Sequence, residues 1–222
     1  GAWVSHLDDN FYFFRDPETQ VCLGNLSTHV DDTGVTGSQK SFDFWRASIE
    51  EKFGKVTRQT LPFLHVGVQY SRLDDGSLFM CQREYCNNIK PIVFKRGRNP
   101  KETLSPEEVT SLRSAIGALL YLCWTRPDVH ADVTIVSQKV TKATVAELIF
   151  VNALIQRAQA TAHLGLQYHR LTPPLRMMAI SDASHALSST SFAIEGTMAL
   201  MVEDRVSSLT AGIVNAKVLH SR

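Results

Sequence analysis

The stretch Ser105-Pro106-Glu107-Glu108 constrains the fold most, because its chemistry belongs to the start of a helix. A serine hydroxyl can accept from an unpaired first-turn amide, and proline at the first helical position loses no hydrogen bond. Acids in the first turn meet the positive end of the helix dipole. Val109, Leu112, Ile116, Leu119 and Leu120 then recur at three- and four-residue steps, which gives the helix one apolar face. Thr125-Arg126-Pro127-Asp128 breaks it. A second helix is expected from about Val129 to Val140 and a third from near Thr144 to about Ala162. An all-β fold is excluded.

The flanks read differently. Phe11-Tyr12-Phe13-Phe14 is a strand-type aromatic run, Asp16-Pro17-Glu18-Thr19 is a turn, and Val21 to Val30 is a second strand. Asp31-Asp32-Thr33-Gly34 closes a hairpin that returns through Val35-Thr36-Gly37. Residues 38–54 carry a helical pattern capped by Ser38 or Ser41. Phe42, Trp45, Ile49 and Phe53 share one face, and Gly54 is the stop. Phe63 to Tyr70 alternates as a strand, Asp74-Asp75-Gly76 turns, and Ser77 to Gln82 returns. Beyond Pro173-Pro174, strands are expected over Leu175–Ile180, Phe192–Val202 and Val214–Leu219, the second interrupted at Gly196. Strands, then helices, then strands make an α+β architecture.

An apolar share of 44% and a charged share of 20% suit a globular chain able to bury a core. The formal charge of +1 gives no global attraction for nucleic acid, so any such surface must be local. Lys90, Lys95, Arg96, Arg98 and Lys101 form the one basic cluster, with Pro91, Gly97 and Pro100 making it a loop. It is either a solvated connector or a contact for phosphates. Cys22, Cys81, Cys86 and Cys123 lack CxxC spacing and read as reduced thiols of an intracellular protein. The longest apolar stretch, Ala115 to Trp124, is too short to span a bilayer. A first residue other than Met and an end just after a strand-like run suggest a piece of a longer polypeptide.

Asp31 and Asp32 are the leading candidates for chemistry. Two carboxylates at a hairpin tip can hold a hard divalent cation, and two such ions can drive phosphoryl transfer. Asp is also an ordinary turn residue. Trp45, Trp124 and Tyr121 can stack on bases, though helical spacing places Trp45 and Tyr121 in the core. Arg126, before Pro127-Asp128, reads as a cap or ion pair. His163 and His169 lack a third ligand and read as ordinary histidines.

The neighbourhood of the acids adds a resemblance. Leu26 to Gly37 resembles the aromatic-x-Asp-Asp hairpin of reverse transcriptases, in its copia-type form. Phe63-Leu64-His65-Val66-Gly67-Val68-Gln69-Tyr70 is similar to that family's Phe-Leu-Gly strand at the primer-contacting end of the palm. Gln82 and Tyr85 stand as in its Gln-x-x-Tyr segment. Arg113 to Leu122, followed by Thr125-Arg126-Pro127-Asp128, resembles a pairing typical of copia-type polyproteins. Ile180-Ser181-Asp182-Ala183-Ser184 looks like the first catalytic strand of an attached RNase H.

The resemblance implies three parts. Residues 1–95 would be a reverse-transcriptase palm remainder, an antiparallel sheet with a packed helix. Residues 96–172 would be a helical thumb and connection, and residues 173–222 an incomplete RNase H-like sheet. Asp31, Asp32 and Asp182 would be catalytic and would bind Mg²⁺ or Mn²⁺. The implied partners are RNA/DNA primer-template, dNTPs and the remainder of the Pol polyprotein, in a cytoplasmic particle or the nucleus and without a membrane. Three departures stand out: His29 replaces the usual aromatic, a third polymerase acid is missing upstream, and the later RNase H acids are missing. The isolated chain is therefore expected to polymerise little or not at all. A non-enzymatic nucleic-acid-binding remnant of such an element is the alternative.

Overall fold

The computed structural model describes residues 1–184, 194–204 and 217–221. Among them it has three antiparallel sheets and five α-helices, a mixed α+β fold. The chain divides into two compact units, residues 1–59 and 60–222.

In the first unit, strands β1 (Ala2–Val4), β2 (Phe11–Arg15), β3 (Cys22–His29) and β4 (Asp32–Gly37) form a meander in that order. Helix α1 (Gln39–Phe53) packs on β3 and β4. Ser38 caps it by accepting from the Ser41 amide, and Gly54 ends it at φ 81°. The core is Phe14, Leu26 and Trp45, joined by half-buried Tyr12, Leu23, Val35, Phe44 and Ile49. The apolar face of α1 departs from expectation at both ends. Phe53 is 82% exposed. Phe42 sits under the Arg58 guanidinium, 5.1 Å from its ring centre.

In the second unit, β5 (Phe63–His65), β6 (Val68–Arg72), β7 (Leu78–Cys81) and β8 (Leu166–Tyr168) form a second sheet in sequence order. Phe63 to Tyr70 is therefore not one strand but a hairpin turning at Val66-Gly67, with φ of 46° and 71°. The short helix α2 (Arg83–Asn88) leads into α3 (Pro106–Leu122), α4 (His130–Ser137) and α5 (Val145–Ala160). The capping box at Ser105 and Glu108 forms as its sequence dictates, and Thr144 with Glu147 forms another on α5. Leu112, Leu119, Leu122, Val129, Val133, Leu148, Val151 and Ile155 are fully buried between these helices. The boundary expected at residue 95 falls inside this unit. No helix among the described residues is long and apolar enough to cross a membrane.

The third sheet has the order β11-β10-β9, with β9 spanning Leu175–Ser184, β10 Ile194–Glu203 and β11 Lys217–Ser221. Leu200 and Val202 on β10 are buried, whereas most of β9 is exposed. The expected start of the second strand at Phe192 and of the third at Val214 lies outside the described residues.

Candidate functional site

The β3–β4 hairpin carries the paired acids. Its register runs from Gly24 opposite Gly37 to His29 opposite Asp32, leaving Val30 and Asp31 as a two-residue loop. The turn thus sits one residue earlier than the sequence suggested. Asp31 is in the loop, and Asp32 is the first residue of the returning strand. Asp31, Asp32 and His29 are all exposed. Val30 has φ 55°, a left-handed conformation costly for a β-branched residue.

The base of this hairpin is held tightly. A Cβ built on Gly24 would lie 2.3 Å from the Ser41 hydroxyl oxygen and 2.5 Å from the Thr36 carbonyl oxygen. One built on Gly37 would lie 2.4 Å from Gly24 Cα, and Gly37 has φ 139°. The glycine pair lets the first turn of α1 rest directly on the strands. The Ser38 amide donates to the Leu23 carbonyl at 2.8 Å, and Thr36 donates its hydroxyl to Asn25 Oδ1 at 2.6 Å. On the other side, the Thr28 amide donates to the Asn10 carbonyl at 2.9 Å. The strands are fixed while the acidic tip projects into water.

The chain is 27% identical over 175 residues to Uncharacterized mitochondrial protein AtMg00810 of Arabidopsis thaliana, covering 72% of this chain and 71% of that protein. No protein-family model matches the chain, and no solved structure matches it.

The other candidate residues are not gathered at this tip. Asp182 belongs to the second unit and lies within β9, opposite Gly196 of β10. The expected strand ended at Ile180, two residues before it. The strand instead continues to Ser184, and its residues around Asp182 are exposed. Among the described residues, no group of three or more His, Cys, Asp or Glu side chains could hold a metal ion. Asp31 and Asp32 offer oxygen donors of the kind Mg²⁺ prefers.

The basic loop separates into two kinds of residue. Lys90, Lys95, Arg96 and Lys101 are exposed. Arg98 is not available: its side chain is 16% exposed and pairs with Glu102 at 2.8 Å and with Glu108 of α3. Hydrogen bonds from those two carboxylates raise its already high pKa. The arginine fastens the loop to the capping box, and therefore leaves the phosphate-contacting set.

Arg126 is a structural residue throughout. It is 2% exposed, and all five guanidinium N–H groups have acceptors. Nε and Nη2 grip the Asp128 carboxylate, both at 2.8 Å. Nη1 donates to the Ala158 and Thr161 carbonyls at 3.2 and 2.9 Å, and Nη2 also donates to the Thr161 hydroxyl at 2.8 Å. The guanidinium thereby closes the C-terminal end of α5, where carbonyls lack helical partners. Its side-chain hydrogen bonds hold the Asp128 carboxyl below the usual carboxylate range.

Sequence reasoning missed how the other motif residues join this scaffold. Gln82 is buried and accepts from the Thr125 hydroxyl at 2.9 Å. Tyr85 donates to the Ala118 carbonyl at 3.2 Å and meets the Tyr121 ring edge-on at 5.0 Å. Tyr121 in turn donates to the Val66 carbonyl at the β5–β6 turn. Their one legible sign was polar residues next to apolar runs. Trp45 is buried as expected, whereas Trp124 is 72% exposed.

Proposed function

We propose that this chain carries the paired-acid hairpin and thumb scaffold of a copia-type reverse transcriptase, followed by the first strands of its RNase H. The observation that carries the reading is the Asp31–Asp32 tip, borne on two paired strands whose base is locked against α1. The interlocking of Gln82, Tyr85, Tyr121, Thr125, Arg126 and Asp128 adds support. It gives a packing reason for residue types that recur together in that family.

In this reading Asp31 and Asp32 would hold Mg²⁺ or Mn²⁺ together with the phosphates of a nucleotide. The metal would supply charge neutralisation and activation of the primer hydroxyl in nucleotidyl transfer. The chain's own part is to present two carboxylates from a fixed backbone. Asp182 would serve the RNase H half, and primer-template and dNTPs would be the partners. Two carboxylates without a third acid bind the ion weakly, so primer extension by the isolated chain is expected to be slight.

The test is paramagnetic broadening by Mn²⁺, read on the backbone amides of residues 29–34. Broadening at those amides, lost in Asp31→Ala and Asp32→Ala, is expected. A uniform or absent effect would remove the metal site and the polymerase reading with it. Extension of a primer on an RNA template, abolished by Asp31→Ala, would overturn the expectation of slight activity.

A second reading, a non-enzymatic nucleic-acid-binding remnant, draws on the exposed Lys90, Lys95, Arg96 and Lys101. Primer-template binding that falls steeply with salt and ignores Mg²⁺ would favour it.

A further inference from the structure

We propose that His29 and Asp32 form a cross-strand chelate at the hairpin tip, which takes a first-row transition ion such as Zn²⁺ in preference to Mg²⁺. The register sets these two residues directly opposite each other, as the last pair before the Val30–Asp31 loop. Residues so placed carry their Cβ atoms about 5 Å apart on one face of the sheet. From that spacing an imidazole nitrogen and a carboxylate oxygen both reach an ion at about 2 Å.

The rest of the hairpin fixes which face this is. Leu26 and Val35 are cross-strand partners, and both belong to the core beneath α1. Side chains alternate along a strand, so Ser27 and His29, with Gly34 and Asp32 across from them, lie on the face turned away from α1. His29 and Asp32 are exposed there. Gly34, the residue opposite Ser27, adds no side chain beside the pair and leaves room for water on the ion. The close approach of Gly24, Gly37 and Ser41 at the base keeps the two strands in this register.

Donor chemistry then selects the ion. Mg²⁺ takes oxygen ligands and gives up its own water reluctantly. A neutral imidazole is a softer nitrogen donor that suits Zn²⁺ and its neighbours in the first row. The aromatic ring that the resemblance expects at position 29 offers no nitrogen, so the replacement by His changes what the tip can bind. The chelate needs two donors on one face rather than a group of three, of which the described residues have none. Water fills the remaining positions, and the affinity is accordingly modest. The inference rests on the reading of this tip as a metal site, to which it adds a nitrogen donor.

The experiment is nuclear magnetic resonance on the full 222-residue chain, titrated with Zn²⁺ alone or Mg²⁺ alone. The signals read are the His29 ring and the amides of residues 29–34. Zn²⁺ is expected to move the His29 ring and the Asp32 amide along one binding curve, at a lower concentration than Mg²⁺ requires. His29→Phe should weaken Zn²⁺ binding at the tip by about tenfold or more and leave Mg²⁺ unchanged, since loss of even a group that hydrogen-bonds a ligand costs that much. His29→Gln keeps a polar side chain without the imidazole and should do the same. Asp32→Asn should weaken both ions. A His29 ring unmoved by Zn²⁺ overturns the proposal, as does a His29 variant that keeps the wild-type Zn²⁺ curve. Equal weakening of both ions by His29→Phe also overturns it, because the ring would then prop the hairpin rather than bind metal. Failure of the polymerase reading looks different. If Asp31→Ala and Asp32→Ala abolish Mn²⁺ broadening while His29→Phe leaves the preference for Zn²⁺ intact, this inference alone fails. If neither ion acts on residues 29–34 of the wild type, both fail.

Discussion

The two compact units hold themselves together in different ways. The helical part of the second unit buries a large set of leucines, valines and isoleucines between α3, α4 and α5, and adds a fully satisfied arginine at the end of α5. The first unit buries only Phe14, Leu26 and Trp45 at its centre. It compensates with backbone proximity, a glycine pair that lets α1 rest on the hairpin. The difference teaches where each unit is fragile. The helical unit should be sensitive to lost polar closure inside a large core, whereas the hairpin unit should be sensitive to added atoms.

Substitution of Arg126 by Met should cost most, about 4 kcal/mol, because the α5 carbonyls lose their donors inside a closed core. Urea unfolding followed by circular dichroism would measure it. Arg126→Lys should recover little, since one ammonium cannot replace five planar donors. Gly24→Ala attacks the other unit. The added methyl meets Ser41 and the Thr36 carbonyl, and should cost about 2 kcal/mol through overpacking. Hydrogen exchange should speed up over residues 22–53 and leave α3 to α5 unchanged. A spread of the loss into those helices would break the contrast between the units.

Val30→Asn should act in the opposite direction. Asn tolerates φ near 55°, so the hairpin should gain about 1 kcal/mol, read as slower exchange at the tip. The smallest effect lies at Asp16, whose pKa falls from 3.8 to about 2. The Thr19 amide contributes most, followed by Lys40 and the Glu18 amide. A depressed folded-state pKa means stability that is present above pH 3.8 and lost as pH falls towards about 2. Asp16→Asn should flatten that acid limb of a urea-midpoint profile while leaving the limb of the remaining carboxylates.

The longest helices and hairpins were legible because their signals are local. Ser105 with Glu108 and Ser38 with the α1 pattern fixed helix starts within a residue. Strands β1 and β8 were not legible, because three residues carry no period and their pairing comes from distant chain. The Val66-Gly67 turn was hidden by a valine where turn chemistry calls for Asn or Asp. The paired acids were visible in sequence, but the exact turn was not, for the same reason at Val30. Arg98 looked like surface charge because its partners, Glu102 and Glu108, lie beyond the basic run that drew notice.

The saturation of Arg126 bears on the reading in which the basic loop binds nucleic acid. The chain has 23 Lys and Arg residues, but a guanidinium whose every hydrogen is committed inside the fold displaces no counterion from a nucleic acid. Arg98, clamped between two carboxylates, is similarly silent. Under the nucleic-acid-binding reading, the slope of log affinity against log salt should be unchanged by removing Arg98 and become shallower by about one when an exposed Lys95 or Arg96 is neutralised.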